Sequence, residues 1–110
     1  MKITTTHESR SEIVKMKGRL DAKTASLLQD ELERLAKKGR HNIALEMSEV
    51  EFVSSRGLRV LSDTHILAKK HAGKLVLVNV NERVRASLDW AGLKEHFEIF
   101  EDLALAVGSF

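Results

Sequence analysis

The sequence predicts a single α/β domain: a mixed, mostly parallel central sheet of about five strands with helices packed against it. Three observations carry that expectation. Segments with helical apolar spacing alternate with short apolar segments of strand character, an order that calls for right-handed crossovers between parallel strands. The run Leu75-Val76-Leu77-Val78 lacks polar alternation, the pattern of a strand covered on both faces. No proline, low-complexity tract or Gly/Ser-rich linker interrupts the 110 residues, so residues 1–110 read as one domain with one core.

The elements follow in order. Lys2 to Glu8 is Thr-rich and reads as an edge strand. A polar turn at Ser9-Arg10-Ser11 leads to Glu12–Lys17, where Ile13, Val14 and Met16 are apolar, so the pair reads as a hairpin, broken at Gly18. Thr24 to Lys38 is an amphipathic helix. Leu28, Leu32 and Leu35 recur at helical spacing with Ala25 and Ala36 beside them; Asp21 or Thr24 caps the start and Gly39 stops the helix. Asn42 to Met47 is a short strand. A second helix starts at Ser54 or Ser55 and runs to about His71. Its main stripe is Leu58, Leu61, His65, Ala68 and Ala72, flanked by Val60, Thr64 and Leu67, and Gly73 ends it. After the strand Leu75–Val78, Asn81 caps a third helix from Glu82 to Ala91, with Val84, Leu88 and Ala91 inward and Gly92 at its end. Phe97–Phe100 is a late strand and Asp102–Gly108 a terminal helix.

Composition narrows the function. Apolar content of 43% and charged content of 31% describe a soluble globular chain. No apolar run approaches the roughly 20 residues that span a bilayer, so no membrane insertion is expected. Met1 to Thr6 lacks the apolar core of a signal peptide, and the cytoplasm is the expected compartment. Without cysteine there are no disulfides or thiolate metal sites. A net charge of +2, with one Trp, no Tyr and four Phe, gives neither the field nor the stacking platform that direct nucleic-acid binding uses. His7, His41, His65, His71 and His96 form no ligand spacing, and His65 and His71 lie six apart rather than at i, i+4. No metal or other cofactor is expected. No acid, base and nucleophile converge in the sequence, so the chain does not read as an enzyme.

The informative stretch is Glu51-Phe52-Val53-Ser54-Ser55-Arg56-Gly57-Leu58-Arg59-Val60-Leu61. Serines at a helix start accept hydrogen bonds from the orphan N–H groups of the first turn. The same place favours a phosphate, through those N–H groups and the helix dipole. The pair therefore reads either as a structural cap or as a phosphorylatable switch. Arg56 and Arg59 oppose the dipole where they stand, and Arg59 shares a face with Ser55. Gly57, inside the helical pattern, either lets a partner backbone approach or relieves packing against a neighbouring strand.

Four segments together resemble the STAS domain family, in particular its bacterial anti-sigma factor antagonists, over nearly the whole chain. Gly18-Arg19-Leu20-Asp21-Ala22-Lys23-Thr24-Ala25 is similar to the family's G-x-L-D-x-x-T-A. Phe52-Val53-Ser54-Ser55-Arg56-Gly57-Leu58-Arg59-Val60-Leu61 resembles F-x-D-S-S-G-L-G-x-L. Gly73-Lys74-Leu75-Val76-Leu77-Val78-Asn79-Val80 resembles G-x-x-L-x-L, and Val84 to Leu93 follows the pattern of a helix ending in G-L.

The resemblance implies a STAS-type fold and a partner-switching role. Family antagonists bind an anti-sigma factor that is also a serine kinase and so release sigma; phosphorylation of a serine in D-S-S-G reverses this. By position that phosphoacceptor is Ser55. The family Asp falls at Ser54, the serine after the acceptor at Arg56, the next Gly at Gly57 and the second Gly at Arg59. The implied partner-binding residues are Asp21, Ser54, Arg56, Gly57 and Arg59, and a phosphatase is a further implied partner. The alternative is a STAS scaffold subunit of a lipid-transport or stress-signalling assembly, never phosphorylated, in which Ser55 is only a cap. A small-ligand or lipid-binding module is a third class.

Overall fold

The computed structural model describes all 110 residues. Five strands form one sheet in the order β1-β2-β3-β4-β5. These are β1 (Lys2–Glu8), β2 (Ser11–Leu20), β3 (Asn42–Val53), β4 (Lys74–Val78) and β5 (Glu98–Phe100). β1 runs antiparallel to β2, and every later pair is parallel. The connections are α1 (Thr24–Lys37), α2 (Ser55–Lys70) and α3 (Glu82–Trp90) with a short 3-10 turn at Lys94–His96, and α4 (Leu103–Gly108) follows β5. No helix is long and apolar enough to cross a membrane.

Strand alternation sorts the helices onto two faces. Val14 and Met16 of β2, Leu45 and Met47 of β3, and Leu75 and Leu77 of β4 share one core with Leu28, Leu32 and Leu35 of α1, Leu58 and Leu61 of α2, and Val84 and Leu88 of α3. Ala44, Val76 and Val78 point the other way, under Ala106 of α4. Leu75 to Val78 are all fully buried, as the unalternated run predicts. The β1–β2 hairpin closes at Ser9, whose positive φ of 57° makes the tight reversal. The Thr5 hydroxyl also donates to Glu31 on α1, which fastens the edge strand to the helical layer.

Five boundaries or faces differ from the sequence reading. β2 does not break at Gly18: it continues to Leu20 through register shifts at Lys15/Lys17 and Gly18/Arg19, with Gly18 at φ +119°. β3 runs on past Met47 to Val53. Ala91, expected inward, is exposed beyond the end of α3, and Ala72 is exposed in the turn after α2 at a φ of 60°. Leu67, placed on the flanking stripe of α2, is 41% exposed.

Candidate partner-docking site at the start of α2

The extra length of β2 and β3 builds the site. β4 pairs with β3 only as far as Glu46, so the end of β3 continues beside β2 alone. Arg19 lies opposite Phe52 and Leu20 opposite Val53, so the two parallel strands finish side by side. The Ser54 N–H donates to the Leu20 carbonyl at 2.8 Å, which sets Ser54 next to the Asp21 turn. Loops leaving one end of a parallel sheet converge in this way. Asp21 and Ser54 are half-buried there, and Ser55, Arg56 and Arg59 are exposed.

The turn before α1 is organised by Asp21. Its Oδ1 accepts from the Lys23 N–H at 3.0 Å and the Thr24 N–H at 2.9 Å, and the Thr24 hydroxyl donates to the Arg19 carbonyl at 2.6 Å. Neither candidate is the cap itself: that position is Lys23, without a side-chain cap, while Asp21 closes the turn just before it and Thr24 is the first helical residue. The hydrogen bond from the Thr24 backbone, then that from its hydroxyl, holds the Asp21 carboxyl below its ordinary pKa.

The two serines have separate positions. Ser54 is extended, with φ −78° and ψ 171°, and its hydroxyl oxygen accepts from the Gly57 N–H at 3.1 Å. Ser54 is the cap. Ser55 is the first residue of α2, with its side chain exposed at the positive end of the helix dipole. Arg56 reaches back to α1, donating to the Ser26 hydroxyl at 3.4 Å. Arg59 is 83% exposed and lies 3.9 Å from Asp63, an exposed pair that contributes little.

Gly57 does not present surface. It is buried, and a Cβ there would stand 2.9 Å from Leu20 Cγ and 3.0 Å from Val53 Cγ1. Of its two sequence readings, relief of packing against a strand is the one the contacts support. These contacts seat α2 on the ends of β2 and β3.

Two features escape the sequence. The Arg19 guanidinium lies 4.7 Å above the Phe52 ring and that of Arg83, from α3, 5.9 Å from it. This cation–π pair edges the site, but it needs the strand register to be seen. Second, a groove of about 700 Å³ opens between α1 and α2 with Ser55, Arg56 and Arg59 at one end and Arg40 and His41 at the other. Three of the histidines make structural contacts. His65 Nδ1 accepts from the Leu75 N–H at 3.2 Å, and His41 stacks on His71 with ring centroids 4.1 Å apart. No group of three or more His, Cys, Asp or Glu side chains is placed to hold a metal ion.

Residues 2–106 match the family described as the STAS domain. The chain belongs to that family. Among curated relatives, the anti-sigma-B factor antagonist of Bacillus subtilis is 33% identical over 86 residues, covering 78% of each chain. Among solved structures, an anti-sigma factor antagonist from Mycobacterium paratuberculosis superposes with a TM-score of 0.88 at 22% identity, covering 98% of this STAS chain and 92% of that one. The Bacillus cell fate determinant SpoIIAA, solved in the phosphorylated form, gives a TM-score of 0.79 at 15% identity and covers 98% of both chains. The two structural likenesses bear on the fold.

Proposed function

We propose that this STAS protein is an anti-sigma factor antagonist, a binding protein and not an enzyme, whose docking on an anti-sigma factor kinase is switched by phosphorylation of Ser55. The reading takes support from the names of its relatives, among them the anti-sigma-B and anti-sigma F factor antagonists. The observation that carries it is the division of labour between adjacent serines. Ser54 is occupied as the cap, and Ser55 stands exposed one residue on, beside the Asp21 turn. In the dephosphorylated form the Asp21 turn, Ser54, Ser55, Arg56 and Arg59 form the docking surface, and Gly57 positions them. The cytoplasm is the compartment this role requires.

A phosphate on Ser55 adds about −1.5 to −2 charge and three acceptor oxygens. Seated at the helix start it is favoured by the dipole, and it opposes docking by bulk, by hydration and by charge. Arg59, one turn on, has only its weak pair with Asp63 to lose, so it is free to turn to the phosphate. The test is the affinity for the purified anti-sigma factor kinase before and after phosphorylation of Ser55. A clear loss of affinity is expected. If Arg59 masks the phosphate, Arg59→Ala widens the gap between the two forms; if Arg59 touches the partner, Arg59→Ala weakens the unphosphorylated complex. Equal affinity of both forms would favour a scaffold in which Ser55 has no switching role.

A further inference from the structure

We infer that the partner does not end at Ser55 but lays an acidic amphipathic segment along the groove between α1 and α2. The inference rests on the partner-switching reading and extends its docking surface to a part of the molecule that the D-S-S-G-like stretch does not reach. The groove starts at Ser55, Arg56 and Arg59 and follows α2 through Val60 and Thr64 to Leu67 and Ala68. Thirteen residue steps at 1.5 Å make it about 20 Å long, room for an extended stretch of about six residues or a helix of about thirteen. Its floor is apolar: Leu32, Ile43, Val60 and Ala68 are all buried side chains that line it. Leu67 stands at the rim, 41% exposed, in the position of an anchor for an apolar side chain from outside.

Charge chooses the occupant. Arginines stand at both ends, with Arg56 and Arg59 at the Ser55 mouth and Arg40, itself paired with Glu12 at 3.8 Å, at the far end, against Glu33 and Asp63 between them. The mouth arginines are held only by the 3.4 Å bond to Ser26 and the 3.9 Å pair with Asp63. They also sit where the dipole of α2 adds positive potential. An acidic residue of the partner at that mouth, followed by apolar side chains over Val60 and Leu67, satisfies both parts of the groove. The arrangement also couples the groove to the switch. A phosphate on Ser55 competes with the partner's acidic residue for Arg56 and Arg59, so one modification at the mouth releases the whole segment.

Leu67→Glu places an acid at the far part of the groove, away from Ser55, and Leu105→Glu is the matched control on α4, 66% exposed on the opposite face of the sheet. Each anti-sigma factor kinase of the host, purified and free of ATP, is titrated with wild type and both variants. The expected result is a loss of about tenfold or more in affinity for Leu67→Glu, and a change within about twofold for Leu105→Glu. Should Leu67→Glu lose its fold by circular dichroism, Leu67→Ala replaces it, with an expected loss of about threefold. Wild-type binding that is unchanged in the folded Leu67 variant overturns the groove and leaves the partner-switching reading standing. Failure of wild type itself to bind any of these kinases overturns both.

Discussion

Gly57→Ala tests how the site is built, because a single methyl group has to enter the seam between α2 and the strand ends. The new Cβ would lie 2.9 Å from Leu20 Cγ, 3.0 Å from Leu20 Cδ2 and 3.0 Å from Val53 Cγ1. Carbon atoms prefer about 3.5–4.0 Å, so each contact is short by about 0.5–1 Å. Leu20 is fully buried and Val53 nearly so, which leaves neither room to turn away. The start of α2 must lift, at a cost of about 1–3 kcal/mol for overpacking. Alanine returns up to about 1 kcal/mol as the better helix former. The net expectation is a destabilisation of about 1–2 kcal/mol, a fall in Tm of about 5–10 °C for a domain of this size. Differential scanning calorimetry reads it, with Gly108→Ala as control, since a Cβ on that α4 residue meets nothing within 4 Å. If Gly57→Ala raises Tm as Gly108→Ala does, α2 is not seated on Leu20 and Val53, and the placement of Ser55 and Arg56 falls with it.

Three further outcomes are expected. Ser54→Ala removes the acceptor of the Gly57 N–H and should cost about 1 kcal/mol in urea unfolding, whereas Ser55→Ala should be close to neutral; the reverse order would exchange cap and free serine. Leu77→Asp puts an unpaired carboxylate into a fully buried strand and should destabilise by more than about 4 kcal/mol, so a soluble variant with the wild-type melting curve would refute β4 as a strand covered on both faces. Stability should fall as pH drops through about 6.5, because burial lowers the pKa of His41 and His65 in the fold. In that window the unfolded chain binds protons first, so stability increases with pH and is level above it. Glu31, lowered to about 2 chiefly by the hydrogen bond from Arg34, gives a separate loss only below its ordinary value of 4.5. Urea midpoints from pH 8 to 5 that stay flat or rise on acidification would contradict the histidine assignment.

The sequence made most of the fold legible where burial leaves a periodic trace. Leu28, Leu32 and Leu35 mark α1, and the run Leu75–Val78 marks β4, because one stripe or both faces are covered. The end of β3 left no such trace. Ser48, Glu49 and Glu51 interrupt its apolar residues, and a stretch that pairs only with β2 past the end of β4 tolerates polar side chains. The sequence also understates β2: Gly18 looks like a terminator, but its positive φ serves a register shift inside the strand. At the site, the serine pair reads as a helix start, and either hydroxyl fits that pattern as the cap. The extended ψ of Ser54 decides it. The stacking of Arg19 and Arg83 on Phe52 depends on three elements meeting and has no local signature. Gly57 is unusual inside a helical pattern, but only the positions of Leu20 and Val53 show what it packs against.

The most direct test of the account is intact mass spectrometry of the protein after incubation with the purified anti-sigma factor kinase and ATP, run alongside Ser54→Ala and Ser55→Ala. One added phosphate is expected on wild type and on Ser54→Ala, and none on Ser55→Ala. Wild type that stays unmodified, or a phosphate that persists on Ser55→Ala, would contradict it.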